Sequence, residues 1–208
     1  AQRAQSAPEA ATGWTDKPLA RAERHMVAAA NQIAANAGLE MLRAGGNAVD
    51  AAIATALVLG IVEPQSSGLG GGAFMLVHDA AAKRLVTYDG RETAPAAAKP
   101  DRFLRDGKPM PFRAAVNSGL SVGVPGLARL IETVHKAHGR LRWADVVAPA
   151  IRIAREGFAV SPRLNGLLGW YGAARFSAKA RAHYFDAEGV ARPVGYVLKN
   201  ETLARTLE

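Results

Sequence analysis

The chain has 208 residues, 49% of them hydrophobic, which suffices for one or two domains with a sizeable core and argues against wholesale disorder. Its 26 Lys and Arg outnumber 18 Asp and Glu for a formal net charge of +8, yet the basic residues are scattered and aromatics make up only 6%, so no basic run or row of stacking platforms marks a nucleic-acid surface. The absence of cysteine excludes disulfides, a thiol nucleophile and thiolate metal sites.

Residues 1–24 lack periodicity and read as a loose arm. The chain starts on Ala1 and continues with small polar residues, as after signal-peptide removal, so a periplasmic or secreted protein is expected. Residues 26–30 read as a short buried strand. Asn31 is placed to cap a helix with Ile33, Ala37, Met41 and Leu42 on one face, and Gly45-Gly46 supply its left-handed stop. Asn47 caps a second helix, with Asp50 in its first turn where the dipole favours negative charge. That helix runs to about Val62, is apolar on nearly all sides and must therefore be buried. It is also the longest apolar stretch, and it falls short of the roughly 20 residues that span a bilayer.

Glu63-Pro64 end the helix, and a glycine-rich loop, SSGLGGG at 66–72, follows. AFMLVHD, a small turn AAAK and RLVTYDG then read as a β-hairpin ending at Asp89-Gly90-Arg91. Residues 95–118, rich in Pro and charge, read as an irregular surface segment. Residues 122–125 read as a short strand leading into a helix that Gly139 ends. Residues 142–156 are helical, with Pro149 predicting a kink or a split and Gly157 closing the helix. Ser161-Pro162 open another helix, and Asn200 caps a last one whose stripe begins at Leu203 and Leu207. That stripe meets Glu208 without a glycine stop and with an unfavourable charge for the dipole, so the polypeptide is expected to continue or to be completed by a second chain. With no repeat and no long linker, residues 25–208 read as one domain.

The motifs carry little chemistry by themselves. Gly68, Gly70 and Ala73 match a dinucleotide string, but that mechanism needs strand, glycines, helix, and the order here is helix, glycines, strand. Glu132, His135 and His138 are spaced for one helix face, yet they equally suit a solvated helix end, and no further ligand pair accompanies them. His25, His78 and His183 stand alone. Ser66 and Ser67 have no base near them in sequence, and Thr87 and Thr93 are internal, which makes them poor nucleophiles without one. Arg91, at the end of a strand, offers a planar fork to a carboxylate. Its neighbour Glu92 makes an ordinary surface ion pair the stronger reading from spacing alone.

The ordered segments AAANQIAANAGLEMLRAGGNAVDAAIATALVLGIVEPQSSGLGGGAFMLVHD, TYDGRETAP, VGVPG and GYVLKNETLARTL closely resemble the γ-glutamyltranspeptidase family, from about Met26 to the end. The resemblance implies an α+β fold, the αββα sandwich of N-terminal-nucleophile hydrolases, of which this chain supplies only the front of a large subunit. It implies a zymogen that processes itself into a heterodimer. The small subunit brings the nucleophilic Thr, whose free amine serves as base; this chain holds no catalytic residue and is inactive alone. Glutathione or another γ-glutamyl compound is the donor, water, an amino acid or a dipeptide the acceptor, and no metal or organic cofactor takes part. Within the family motif Arg91 binds the α-carboxylate of the γ-glutamyl group, which reverses the reading from spacing, and Glu92 orients the fork. The glycine loop matches the family's link between buried helix and central sheet. A glutaryl-cephalosporin acylase of the same fold is the nearest alternative; a non-catalytic basic binding module and a purely structural domain are further ones.

Overall fold

A computed structural model describes residues 19–208. The expected loose arm thus lies mostly outside the described residues, and its last part, 19–24, has no regular structure. The strand expected at 26–30 does not form. Met26 is exposed, only Val27 and Ala29 lean on the core, and no described strand supplies a ladder for the segment's backbone.

Helix α1 is Gln32–Arg43, capped by Asn31 Oδ1 accepting from the Ile33 N–H at 2.9 Å. It ends in a Schellman motif: Gly45 takes φ +90, its N–H reaches Leu42 O, and the Gly46 N–H reaches Met41 O. Helix α2, Ala48–Val62, opens on a capping box between Asn47 and Asp50. Ten of its 15 residues are buried, because α1 and α5 (Trp143–Glu156) pack along it and α4 (Leu127–His138) adds a third side. Ile53, Val58 and Val62 on this helix are fully buried, each worth about 1.5–3 kcal/mol of burial.

The hairpin forms as read. Strands β1 (Ala73–Asp79) and β2 (Arg84–Gly90) pair antiparallel from Ala73↔Gly90 to Asp79↔Arg84, and Asp79 Oδ1 accepts from the Ala81 and Ala82 N–H groups in the turn. Ala73, Met75, Val77 and Tyr88 face the helices, while Phe74, Leu76 and Leu85 face outward and stay exposed. Residues 95–118 lie at the surface but are not wholly irregular. Asp106-Gly107, both at positive φ, turn β3 (Leu104–Arg105) into β4 (Lys108–Pro109), and α3 (Phe112–Val116) follows. Residues 122–125 make one bridge, Val124 to Thr93, rather than a strand, and α4 starts at Leu127.

Pro149 does not split α5. The helix runs unbroken, with Pro149 buried between Val146, Val147 and Ala150, and packing on α2 holds both halves in place despite the lost N–H. Gly157, at φ +95, closes it; a Cβ there would meet Leu198 O at 2.8 Å. Strands β5 (Phe158–Ala159) and β6 (Val197–Leu198) pair, and α6 (Pro162–Tyr171) and α7 (Ala178–Tyr184) lie between them in sequence. Helix α8, Glu201–Leu207, caps on Asn200 and packs on α5, with Arg155 paired to Glu201 and Glu208. The result is a layer of helices on one face of a hairpin whose other face carries exposed apolar side chains.

Candidate functional site

Strand β2 ends at Gly90, buried under α4, where a Cβ would meet Leu130 Cβ at 2.6 Å. The chain then turns, with the Arg91 N–H donating to Asp89 Oδ1 at 2.9 Å. This puts the Arg91 side chain at the rim of the hairpin, 65% exposed, with Nη1 donating to Glu92 Oε2 at 2.7 Å. The Glu92 carboxylate is less exposed because the glycine loop walls it. A Cβ on Gly72 would stand 2.8 Å from Oε2, and one on Gly71 3.4 Å from Oε1. Gly123 lies on the other side, 3.0 Å from Glu92 Cβ by the same measure. Gly126, before α4, has no room for a Cβ against Gly90 O, and Gly71 O accepts from the Gly126 and Leu127 N–H groups.

The glycine loop is thus used at two points. Gly71 and Gly72 let the loop close over the end of β2, and Gly68 packs on Gly60 of α2 at 3.4 Å from a Cβ built there. Gly70 faces open space. The outcome is a guanidinium on a packed strand end, anchored along one edge by a carboxylate and exposed along the rest. Such a fork can receive a carboxylate through two parallel N–H···O bonds.

The other candidates do not converge. Glu132 bonds Arg129 and Lys136 on the exposed face of α4. His135 Nε2 lies 3.0 Å from Leu141 O and 3.7 Å from Asp50 Oδ1, with its ring against Trp143, while His138 Nε2 lies 2.6 Å from Tyr88 Oη. Among the described residues no group of three His, Asp or Glu is placed to hold a metal. The dinucleotide string runs from the end of α2 into β1, not from a strand into a helix, and the start of α4 that meets it is taken up by Gly71 O. Ser66 and Ser67 donate their N–H groups to Glu63 O, Thr93 bridges Val124, and Thr87 faces outward on the hairpin. His25 and His78 are exposed, and His183 is half-buried on α7.

Two carboxylates that the sequence marks only as features of the second helix's ends have distant partners as well. Asp50, fully buried, not only caps α2 but accepts from the Arg140 and Leu141 N–H groups, joining α2 to the turn between α4 and α5. Glu63, 3% exposed, accepts from Asn31 Nδ2 at 2.9 Å, from Gln65 Nε2 and from Arg163 Nη1 at 3.0 Å. No local signal marks this last contact, since Arg163 lies 100 residues further on.

Helices on one face of a two-stranded hairpin and exposed apolar side chains on the other fit the helix and sheet layers of one half of the αββα sandwich of N-terminal-nucleophile hydrolases. Comparison with known proteins makes the assignment specific. The gamma-glutamyltranspeptidase family model matches residues 34–208, and the chain belongs to that family. It is 37% identical over 184 residues to the glutathione hydrolase proenzyme of Bacillus subtilis, covering 88% of this chain and 31% of that protein. Among solved structures, Helicobacter pylori gamma-glutamyltranspeptidase superposes with a TM-score of 0.85 at 29% identity, over 91% of this chain and 54% of that one. A cephalosporin acylase from Bacillus halodurans superposes with a TM-score of 0.73 at 31% identity, over 98% of this chain and 38% of that one. The chain thus spans less than a third of the length of the curated relatives it matches, and its fold is the corresponding part of the αββα sandwich. No described helix is long and apolar enough to cross a membrane.

Proposed function

We propose that this chain is the front part of the large subunit of a γ-glutamyltransferase and glutathione hydrolase, in which Arg91 grips the α-carboxylate of the γ-glutamyl donor. The observation that carries the reading is the Arg91 guanidinium, held at the end of β2 by Glu92 at 2.7 Å and exposed along its remaining edge. A donor carboxylate docking there fixes one end of the glutamyl chain, and the γ-carbonyl lies at the other end. The nucleophile is the N-terminal Thr of a small subunit, released when the proenzyme cuts itself. Its hydroxyl attacks the γ-carbonyl while its α-amine takes the proton and then passes it to the departing amine. Water, an amino acid or a dipeptide next attacks the γ-glutamyl ester and frees the Thr. Positioning by Arg91 accelerates this by holding the carbonyl in reach of the hydroxyl. The chemistry needs no metal or organic cofactor, this chain alone is inactive, and the enzyme works in the periplasm or outside the cell.

A second reading, an acylase for glutaryl-cephalosporins, is favoured by the likeness to the Bacillus halodurans enzyme. A glutaryl group carries a carboxylate at the same distance from its amide, so Arg91 would serve both substrates. The α-ammonium group tells them apart, and relative turnover of γ-glutamyl- and glutaryl-p-nitroanilide by the heterodimer decides between them.

The test of the main reading is Arg91→Ala in the complete heterodimer. Charge-assisted hydrogen bonds of about 1.5–3 kcal/mol correspond to a rise in KM for γ-glutamyl-p-nitroanilide of roughly ten- to a hundredfold. An unchanged KM removes Arg91 from the site.

A further inference from the structure

We propose that Glu63 is a positioning residue for donor binding, acting through the glycine loop on Glu92 and hence on Arg91; this rests on the carboxylate-gripping role of Arg91 given above. Glu63 stands where α2 hands over to the loop, and every part of it is engaged. Its N–H donates to Leu59 O, which ends the helix. Its carbonyl accepts from the Ser66 and Ser67 N–H groups at 3.0 and 3.1 Å, which shapes the start of the loop. Its buried carboxylate takes three donors from three places: Asn31, which also caps α1, Gln65, just ahead of the loop, and Arg163, in the first turn of α6.

Four residues on from Ser67 the same loop reaches the site. Gly71 N–H donates to Gly68 O, Gly71 O receives the start of α4, and Gly71 and Gly72 form the wall on which the Glu92 carboxylate rests. Glu92 then holds Arg91 Nη1. A buried carboxylate with a guanidinium partner is an uneconomical way to gain stability, because desolvation offsets the attraction. What the arrangement provides is a fixed geometry: three separate donors converge on one point, and only an anion satisfies them all. In Glu63→Gln the amide NH₂ must face one of those donors, and Arg163 loses its countercharge.

The test compares Glu63→Gln, Arg163→Gln and Arg91→Ala in the complete processed heterodimer. Glu63→Gln is expected to raise KM for γ-glutamyl-p-nitroanilide roughly three- to tenfold, in the range of distant residues that modulate a site, with kcat per processed heterodimer within about twofold. Arg163→Gln is expected to move KM in the same direction by a smaller factor. Combined with Arg91→Ala, Glu63→Gln is expected to add little further rise, since the fork it serves is gone. Arg163, at the partly exposed end of the network, carries the test if Glu63→Gln yields no heterodimer. Unchanged KM in the variants that assemble, or a fall in kcat alone, overturns the proposal. If Arg91→Ala itself leaves KM unchanged, the function proposed above fails; if Arg91→Ala raises KM and the Glu63 and Arg163 variants do not, only the role of Glu63 fails.

Discussion

The Glu92 carboxylate rests on Gly72 so closely that a methyl group there would meet Oε2 at 2.8 Å and Gly90 O at 2.5 Å. Gly72→Ala is therefore expected to push Glu92 off the loop and release Arg91 Nη1. KM for a γ-glutamyl donor should rise several-fold in the heterodimer, and thermal stability should fall, because the backbone at Gly90 cannot yield as a side chain can. Gly70→Ala is the control: a Cβ there has nothing within 4 Å, and both quantities should stay at their wild-type values. Equal effects of the two substitutions would separate the loop from the site.

Arg91 and Glu92 form an exposed pair, and such pairs contribute about 0–1 kcal/mol to folding. Arg91→Ala is therefore expected to leave the melting temperature within about 2 °C of wild type while it raises KM. Differential scanning calorimetry alongside steady-state kinetics reads both. A large loss of stability would make the residue structural instead of substrate-binding.

Asp50 gives the opposite pattern. Its Oδ2 accepts from three backbone N–H groups, those of Asn47, Arg140 and Leu141, in a fully buried position. In Asp50→Asn one side of the carboxamide turns a donor toward donors. The expected cost is about 1–3 kcal/mol, seen as a lower denaturation midpoint with KM for the donor unchanged. A denaturation midpoint equal to wild type would show that the buried charge is dispensable.

The contrast between these residues explains what the sequence revealed. Features whose cause is local were legible. The caps at Asn31, Asn47, Ser161 and Asn200, the stop at Gly45, and the hairpin with its turn all follow from neighbours a few residues apart. The small hairpin around Asp106-Gly107 was legible in principle, since both residues suit positive φ, but the surrounding Pro and charge masked it. Pro149 signalled a kink or a split, and the helix, packed on α2, is not split there. The Arg163 contact of Glu63 and the second set of donors to Asp50 were not legible, because Arg163 lies 100 residues from Glu63 and Arg140 lies 90 residues from Asp50 along the chain. Arg91 reads from spacing only as half of a surface pair; its role as carboxylate binder is what the family resemblance implies, and the glycines around Glu92 hold the neighbour that its guanidinium bonds.

His183 on α7 provides a pH-dependent test of the packing around α6 and α7. Burial, and to a lesser extent the nearby Arg192, disfavour its imidazolium and lower its pKa from the ordinary 6.5. The unfolded chain restores the ordinary value and so binds the proton more readily than the folded one. Stability therefore rises with pH across this window. The contribution is fully present above about 6.5 and declines as the pH falls toward the lower folded-state value. His183→Gln removes the titration without adding a charge. Melting temperatures measured between about pH 5 and 7.5 should show the wild-type heterodimer losing more stability on acidification than the variant. Parallel curves for the two proteins would mean that the imidazole titrates alike in both states, and that the ring is not held away from water as its place beside Tyr184 implies.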